Sequence, residues 1–368
     1  MNFRVPYNYL PEQFGSRDDI FVKWKELALS GEFTLGSSVE LFEVNFASYM
    51  GTKYCVSTNT GTDALILSLK AVGIKEGDEV ITAPNSFFAT AGAIVACGAR
   101  PVFVDVDSRM QIDHDKIEKK INEKTKAIVP VYWAGGGPNM LRIDEIAKRN
   151  KLKIVADACM AIGGKYSGRT AANWGDVVAY SMHPLKSLNV MGDGGAITTN
   201  NYDYANWLTK YRNHGMINRD EIDFYGVNSR MQPLQAIVAT IELEKLDKVI
   251  ERRNRIARIY DRKLSALYPE VQTLPRRDDD LETYSLYMIK VNRRDELLDT
   301  LIASGIEAKI HYPIPLHKQK ASITLNLNDE DLLNAEEQAL KIITLPCHQF
   351  LSDSQVEYVI QTITNFFG

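Results

Sequence analysis

Between residues 50 and 200 the chain switches its hydrophobic period repeatedly. Short β-branched runs ("KYCVST", "DEVITA", "PVFVDVD", "TKAIVPVY", "LKIVADA", "VVAYSM", "GAITTN") are separated by segments with helical spacing, such as "GTDALILSLKAVG", "FFATAGAIVACG", "DHDKIEKKINE" and "LRIDEIAKRN". Apolar strands that feed helices must be covered on both faces, so the alternation predicts an α/β protein with a mainly parallel sheet. Ligands of such sheets sit outside the carboxyl ends of the strands. Those ends are where chemistry is to be sought.

The pattern changes after residue 200. Leu234, Ile237, Val238, Ile241, Leu246, Ile250, Ile256, Ile259 and Leu264 recur at spacings of three and four, which predicts a long helix broken once. Arg252, Arg253, Arg255 and Arg258 on that helix read as a solvated face. "PRRDDDLETY" reads as an exposed connection, and "YSLYMIKV", "EAKIHYPI" and terminal helices beyond it predict a smaller α+β domain. A chain of 368 residues exceeds a usual single core, so a large domain over 1–240, including the N-terminal segment, and a small domain over 241–368 are expected.

Other classes are disfavoured. A formal net charge of −4 offers no general basic surface, so no nucleic-acid partner is expected. No apolar run approaches the roughly 20 residues that span a bilayer. "MNFRVPYNYLPEQF" lacks the apolar core of a signal peptide, so the expectation is a cytoplasmic protein with no membrane partner. Cys55, Cys97, Cys159 and Cys347 are scattered in apolar contexts and read as reduced, mostly buried thiols. The six histidines lack metal-ligand spacing, so no metal site is expected.

Three strand ends carry unusual groups. In "STNTGTDALILSL" Gly61 allows a tight turn straight into a helix, whose free N–H groups, with the Thr60 and Thr62 hydroxyls, suit an anion such as phosphate; either threonine could instead be a plain N-cap. Asp157 ends the apolar strand of "LKIVADACMAIGG", where a carboxylate is costly without a positive partner. It reads as a cap, an ion pair or the partner of a protonated ring nitrogen. Lys186 follows the strand "VVAYSM", and a desolvated lysine has a lowered pKa and a nucleophilic amine. Lysine, aspartate and phosphate turn together suit pyridoxal phosphate, the lysine as Schiff-base former and the aspartate on the ring nitrogen. Phe87 and Phe88 follow "DEVITA", and Phe87 is the expected ring to stack on a flat pyridine, with core packing as the alternative.

These residues lie in longer motifs. "STNTGTDAL", "GDEVITAPNSFFATAGAI", "VADACMAIGG", "SMHPLKSLNVMGDGGAITT", "YGVNSRMQPLQA" and "KIHYPIPLH" resemble the DegT/DnrJ group of sugar-nucleotide aminotransferases. The resemblance implies a fold-type I pyridoxal-phosphate enzyme with Lys186 as the Schiff-base lysine and Asp157 as the pyridinium partner. It further implies Phe87 as the stacking ring, Gly61, Thr62 and Ser181 on the phosphate, and Asn228 reaching the phosphate from the partner subunit of a homodimer with shared sites. Glutamate would supply the amino group to a keto group on a nucleotide-linked deoxysugar, as in amino-sugar biosynthesis. Two positions depart from the pattern: Ala156 stands where the family usually has glutamate, and Met160 where it has a glutamine near the cofactor's phenolic oxygen. "MGDGG" is closer to members that act on a 3-keto than on a 4-keto sugar.

A diphosphate calls for a cation, and Arg230 is the candidate, with Arg212 and Lys318 behind it; each also reads as a surface charge. His183, His311 and Tyr312 are candidate sugar contacts, with capping or core packing as the alternative. Three other functions compete. They are a keto-cyclitol aminotransferase, a sugar dehydratase in which histidine replaces the lysine, and a non-catalytic regulator that keeps the cofactor.

Overall fold

Seven strands form the central sheet: β1 (Tyr54–Thr58), β2 (Glu79–Thr82), β3 (Arg100–Phe103), β4 (Thr125–Val129), β5 (Lys153–Asp157), β8 (Val177–Ser181) and β9 (Gly195–Thr199). A short hairpin, β6 (Lys165–Tyr166) and β7 (Arg169–Thr170), lies between β5 and β8. The order across the sheet is β1-β9-β8-β5-β4-β2-β3. The pairs β8–β5, β5–β4, β4–β2 and β2–β3 are parallel, while β9 runs against both of its neighbours. The computed structural model describes residues 3–327 and 331–368.

Strand residues alternate between two cores. Ile154, Ala156, Val178 and Tyr180 face one apolar cluster, and Val155, Val177 and Ala179 face the other. Both faces are covered because both are apolar. Before the sheet come α1 (Leu10–Phe14), α2 (Asp18–Ser30) and α3 (Ser37–Met50). The crossovers carry α4 (Gly61–Ala71), α5 (Phe88–Ala96), α6 (His114–Ile117) and α7 (Met140–Arg149), and α8 (Tyr202–Tyr211) follows β9. The fold class is α/β with a mainly parallel sheet, as the alternation predicts.

The long helical stretch breaks at Glu244 and Lys245 into α9 (Pro233–Leu243) and α10 (Leu246–Leu264). Leu246 and Ile250 pack with the large core, whereas Ile256, Ala257 and Tyr260 pack with a separate core built on β10 (Val271–Thr273), β11 (Tyr287–Val291) and β12 (Ile342–Leu345). The change of core thus falls inside α10, some residues beyond 240. That smaller sheet is flanked by α11 (Arg294–Ala303), α13 (Leu333–Lys341) and α14 (Asp353–Phe367), while the short α12 (Lys320–Thr324) is followed by Leu325 and Asn326, whose carbonyls accept from Arg100 of β3. The extreme N-terminus joins it: Val5 bridges to Ile306 and belongs to the small core.

Arg253 corrects the solvated-face reading of α10. It is 1% exposed, and its guanidinium donates to the Tyr284 carbonyl at 3.0 Å and the Tyr9 hydroxyl at 2.9 Å. The 3.6-residue period puts it one turn from Ile250 and Ile256, on the inward side of the helix.

Candidate active site

One cavity of about 540 Å³ opens at the carboxyl ends of β5 and β8, beneath the small domain. Asp157 is the last residue of β5, and Ser181 the last of its neighbour β8. The chain then turns, and Lys186 follows five residues later. The turn is pinned: Lys186 N–H donates to the His183 carbonyl at 2.9 Å, and the Asn189 side-chain amide donates to the Pro184 carbonyl. The Tyr9 hydroxyl, from the N-terminal segment, donates to the Lys186 carbonyl at 3.1 Å. Burial pushes the Lys186 ammonium below the usual lysine range, opposed in part by Cys159 and Asp157.

Asp157 is 5% exposed. The Thr90 hydroxyl donates to its Oδ2 at 2.6 Å, and Ser86 is 2.6 Å behind Thr90. The Cys159 N–H donates to Oδ1 at 3.2 Å. Both contacts donate to the carboxyl, whose remaining lone pairs can accept from a further donor. Burial first, and then the Asp157 charge, pushes the Cys159 thiol well up, which leaves it an unreactive lining group.

Thr60, Gly61 and Thr62 line the same cavity with Ser181. Thr60 is the N-cap of α4, its hydroxyl accepting the Asp63 N–H at 2.9 Å. It therefore serves as the cap, while the cavity side of the helix start remains lined by Gly61 and Thr62. A Cβ on Gly61 would stand 2.5 Å from the Ser181 Cβ, so only glycine lets the helix start press against the end of β8. Phe87, the N-cap residue of α5, lines the cavity; Phe88 does not, although the rings are 5.2 Å apart. Met160 lines the wall, held by its carbonyl, which accepts from the Thr283 and Ser285 hydroxyls at 2.6 Å each.

His183, His311 and Tyr312 also reach the cavity. Burial lowers His183, helped by Lys186 and opposed by Asp193. Burial, with the charges of Lys309 and Lys186, brings His311 down to about 4, so it is neutral. Its Nδ1 is 2.9 Å from the Thr344 hydroxyl. Tyr312 is pushed up to about 12 by burial and by Asp157, so its hydroxyl keeps its proton.

Other candidates lie elsewhere. Arg212 is 4% exposed and locked to Glu43 of α3 and to the Ser57 carbonyl, at 2.7 Å for the latter, so it is a structural cation. Lys318 pairs with Glu336 at 3.1 Å. Asn228 and Arg230 do not line the cavity of this chain: Asn228 is exposed, and its side-chain oxygen accepts from Arg230 Nε at 3.0 Å. The sequence reading missed Tyr7, Trp133, Thr90 and Lys309, which all line the cavity. For Lys309 a signal existed, its place two residues before His311 in "KIHYP".

A pyridoxal-phosphate group fits these residues. The buried Asp157 offers the charge for a ring nitrogen, Phe87 a ring face, Lys186 an amine, and the glycine-allowed contact of α4 with Ser181 a cradle for phosphate. Among the described residues no cluster suited to a metal ion is found, and no helix is long and apolar enough to cross a membrane.

The model of the DegT/DnrJ/EryC1/StrS aminotransferase family matches residues 16–364. The chain is 36% identical over 366 residues, 99% of its length and 98% of the other's, to a "pleiotropic regulatory protein" of Geobacillus stearothermophilus. It is 38% identical over 338 residues, 92% of each chain, to a dTDP-3-amino-3,6-dideoxy-alpha-D-galactopyranose transaminase of Aneurinibacillus thermoaerophilus. It is 33% identical over 357 residues, 96% of its length and 98% of the other's, to a UDP-2-acetamido-2-deoxy-3-oxo-D-glucuronate aminotransferase of Pseudomonas aeruginosa. Among solved structures, DesV of S. venezuelae in complex with a ketimine intermediate superposes with a TM-score of 0.96 at 34% identity, covering 99% of this chain and 98% of that one. NtdA of Bacillus subtilis with bound cofactor PMP gives a TM-score of 0.91 at 29% identity, covering 100% and 88%.

Proposed function

The chain belongs to the DegT/DnrJ/EryC1/StrS aminotransferase family, and on that premise we propose that it moves an amino group from glutamate to a 3-keto group of a nucleotide-linked deoxysugar. One observation carries this reading: Lys186, Asp157 and the glycine-allowed cradle of Gly61 and Ser181 surround a single cavity. The 3-keto choice rests on "MGDGG" and on relatives that are named for 3-amino and 3-oxo sugars.

When bound, pyridoxal phosphate supplies a carbonyl for amine exchange and a ring that accepts electrons. The protein does the rest. Asp157, which accepts from the Thr90 hydroxyl and the Cys159 N–H, would hold positive charge at the ring nitrogen. Phe87 covers a ring face, and Gly61, Thr62 and Ser181 hold the phosphate. Thr60 acts through its cap on α4. Lys186, whose charged form burial disfavours, takes a proton at Nζ from the amine-bearing carbon of the donor and returns one to the acceptor carbon. His183, neutral His311 and protonated Tyr312 orient the sugar by hydrogen bonds. Met160 brings a thioether to the wall, which would have no hydrogen to donate to the cofactor's phenolic oxygen.

The site is shared in a homodimer, with Asn228 and Arg230 of each subunit reaching the partner's phosphate and substrate. Support comes from their place outside their own cavity, from the exposure of Asn228 and from the 91% exposed Tyr225 and 49% exposed Ile222 nearby. The protein works in the cytoplasm, in amino-sugar synthesis for lipopolysaccharide or an antibiotic. The presence of both Lys186 and Asp157 favours turnover over a regulatory role and argues against a dehydratase.

The test adds glutamate to the yellow protein and then UDP-, dTDP- and GDP-linked 3-keto and 4-keto sugars. Glutamate should bleach the pyridoxal band, and a 3-keto sugar should restore it. Restoration by 4-keto sugars alone would overturn the 3-keto assignment, and a silent panel would overturn the nucleotide-sugar substrate in favour of a cyclitol or a regulatory role.

A further inference from the structure

Lys309 is a second cation in the cavity, and catalysis as described above leaves it unused. Apart from Lys186, it is the only lysine or arginine among the described residues that lines the cavity. Its main chain is fixed against β12: its N–H donates to the Thr344 carbonyl at 3.0 Å and its carbonyl accepts the Thr344 N–H at 2.7 Å. Its ammonium is held as well. Nζ lies 3.1 Å from Glu307 Oε1 and 5.4 Å from the centre of the Tyr7 ring.

Glu307 pairs with this ammonium through one oxygen only. Its other oxygen accepts the N–H groups of Tyr7 at 2.8 Å and Asn8 at 3.4 Å, so it anchors the N-terminal segment. An ammonium has three donors, and one on Glu307 leaves two for the cavity. The side chain is 42% exposed and reaches toward His311, which feels its charge. A fixed ammonium on a concave wall is a seat for an oxyanion.

We propose that Lys309 docks a carboxylate or phosphate group that the substrate carries away from the reacting carbon, and so sets a preference for acidic substrates. This rests on the transaminase reading. Two sources share the chemistry: the side-chain carboxylate of the donor amino acid, and an acid group on the acceptor.

The experiment uses cofactor-loaded wild type, Lys309→Met and Lys309→Arg. Calorimetry with glutarate, with glucuronate and with inorganic phosphate is run beside the half-reactions with glutamate and with alanine. Loss of a charge-assisted contact is expected to weaken at least one acidic probe by about ten- to a hundredfold in Lys309→Met, while alanine changes less than about twofold and Lys309→Arg keeps most of the binding. Weakening confined to glutarate and glutamate assigns the donor carboxylate; weakening confined to glucuronate or phosphate assigns the acceptor. The proposal is overturned if Lys309→Met binds every acidic probe as wild type does, if wild type binds none, or if alanine is lost equally. Lys309-dependent binding in a protein that never turns over would sink the transaminase reading and leave the anion seat standing.

Discussion

Replacing Gly61 with alanine tests the packing on which the cradle depends. The added Cβ would stand 2.5 Å from the Ser181 Cβ, 2.8 Å from its Oγ and 3.1 Å from its Cα. Carbon pairs rest at about 3.5–4.0 Å, so the start of α4 and the end of β8 must part by about 1 Å. Ser181 is 8% exposed and sits on a central strand, so no flexible side-chain end can yield. Overpacking of this kind costs about 1–3 kcal/mol. In a chain of this size that lowers the melting temperature by on the order of 1–4 °C. The functional effect is larger, because a shift of about 1 Å in a positioned site can cost on the order of a hundredfold. Differential scanning fluorimetry of the cofactor-free protein and titration with pyridoxal phosphate measure the two effects. Gly92 is the control: it lies inside α5 with nothing near its missing Cβ, and Gly92→Ala should leave cofactor affinity unchanged and raise stability slightly. A Gly61→Ala protein with wild-type melting and wild-type affinity would refute the argument.

Tyr9→Phe removes a hydroxyl that accepts from Arg253 and donates to the Lys186 carbonyl; Arg253 keeps Gln349 and the Tyr284 carbonyl, but losing the donor to the Lys186 carbonyl should cost about 1–3 kcal/mol, visible as earlier urea unfolding, whereas an unchanged midpoint would deny the network any energetic role. Arg212→Ala removes the cation from half-buried Glu43, which keeps the Ser57 N–H and hydroxyl, and should cost about 1.5–3 kcal/mol, with substrate affinity unchanged in whatever protein folds; a selective rise in KM would restore Arg212 as a substrate contact. Burial holds His348 down to about 4, against an opposing bond from the Pro6 carbonyl. Its neutral form belongs to the fold, so this stabilisation is full above about pH 6.5 and is lost as pH falls toward 4. His348→Gln should flatten that acid limb of the melting curve.

The chain's local periods carried much of this account. Short β-branched runs marked the seven strands, and Lys186, Asp157 and Gly61 stood out because a strand end is an odd place for a charge or a bare backbone. Contacts across long sequence distances left no such mark. Arg212 reads as an exposed cation until Glu43, 169 positions away, is folded against it. Arg253 sits among arginines that read as a solvated face, and only the Tyr9 and Tyr284 partners show why it is inside. Tyr7 and Lys309 reach the cavity because the N-terminus crosses back to Ile306. The choice between 3-keto and 4-keto sugars depends on cavity shape, which a motif reflects only indirectly.

The central claim is that Lys186 is the amine that engages pyridoxal phosphate. Borohydride reduction of the yellow protein, followed by digestion and mass spectrometry, tests it most directly. The account predicts a phosphopyridoxyl group on the peptide that contains Lys186, absent when glutamate is added first. A label on any other lysine, or a Lys186→Ala protein that still passes the amino group from glutamate to acceptor, would contradict it.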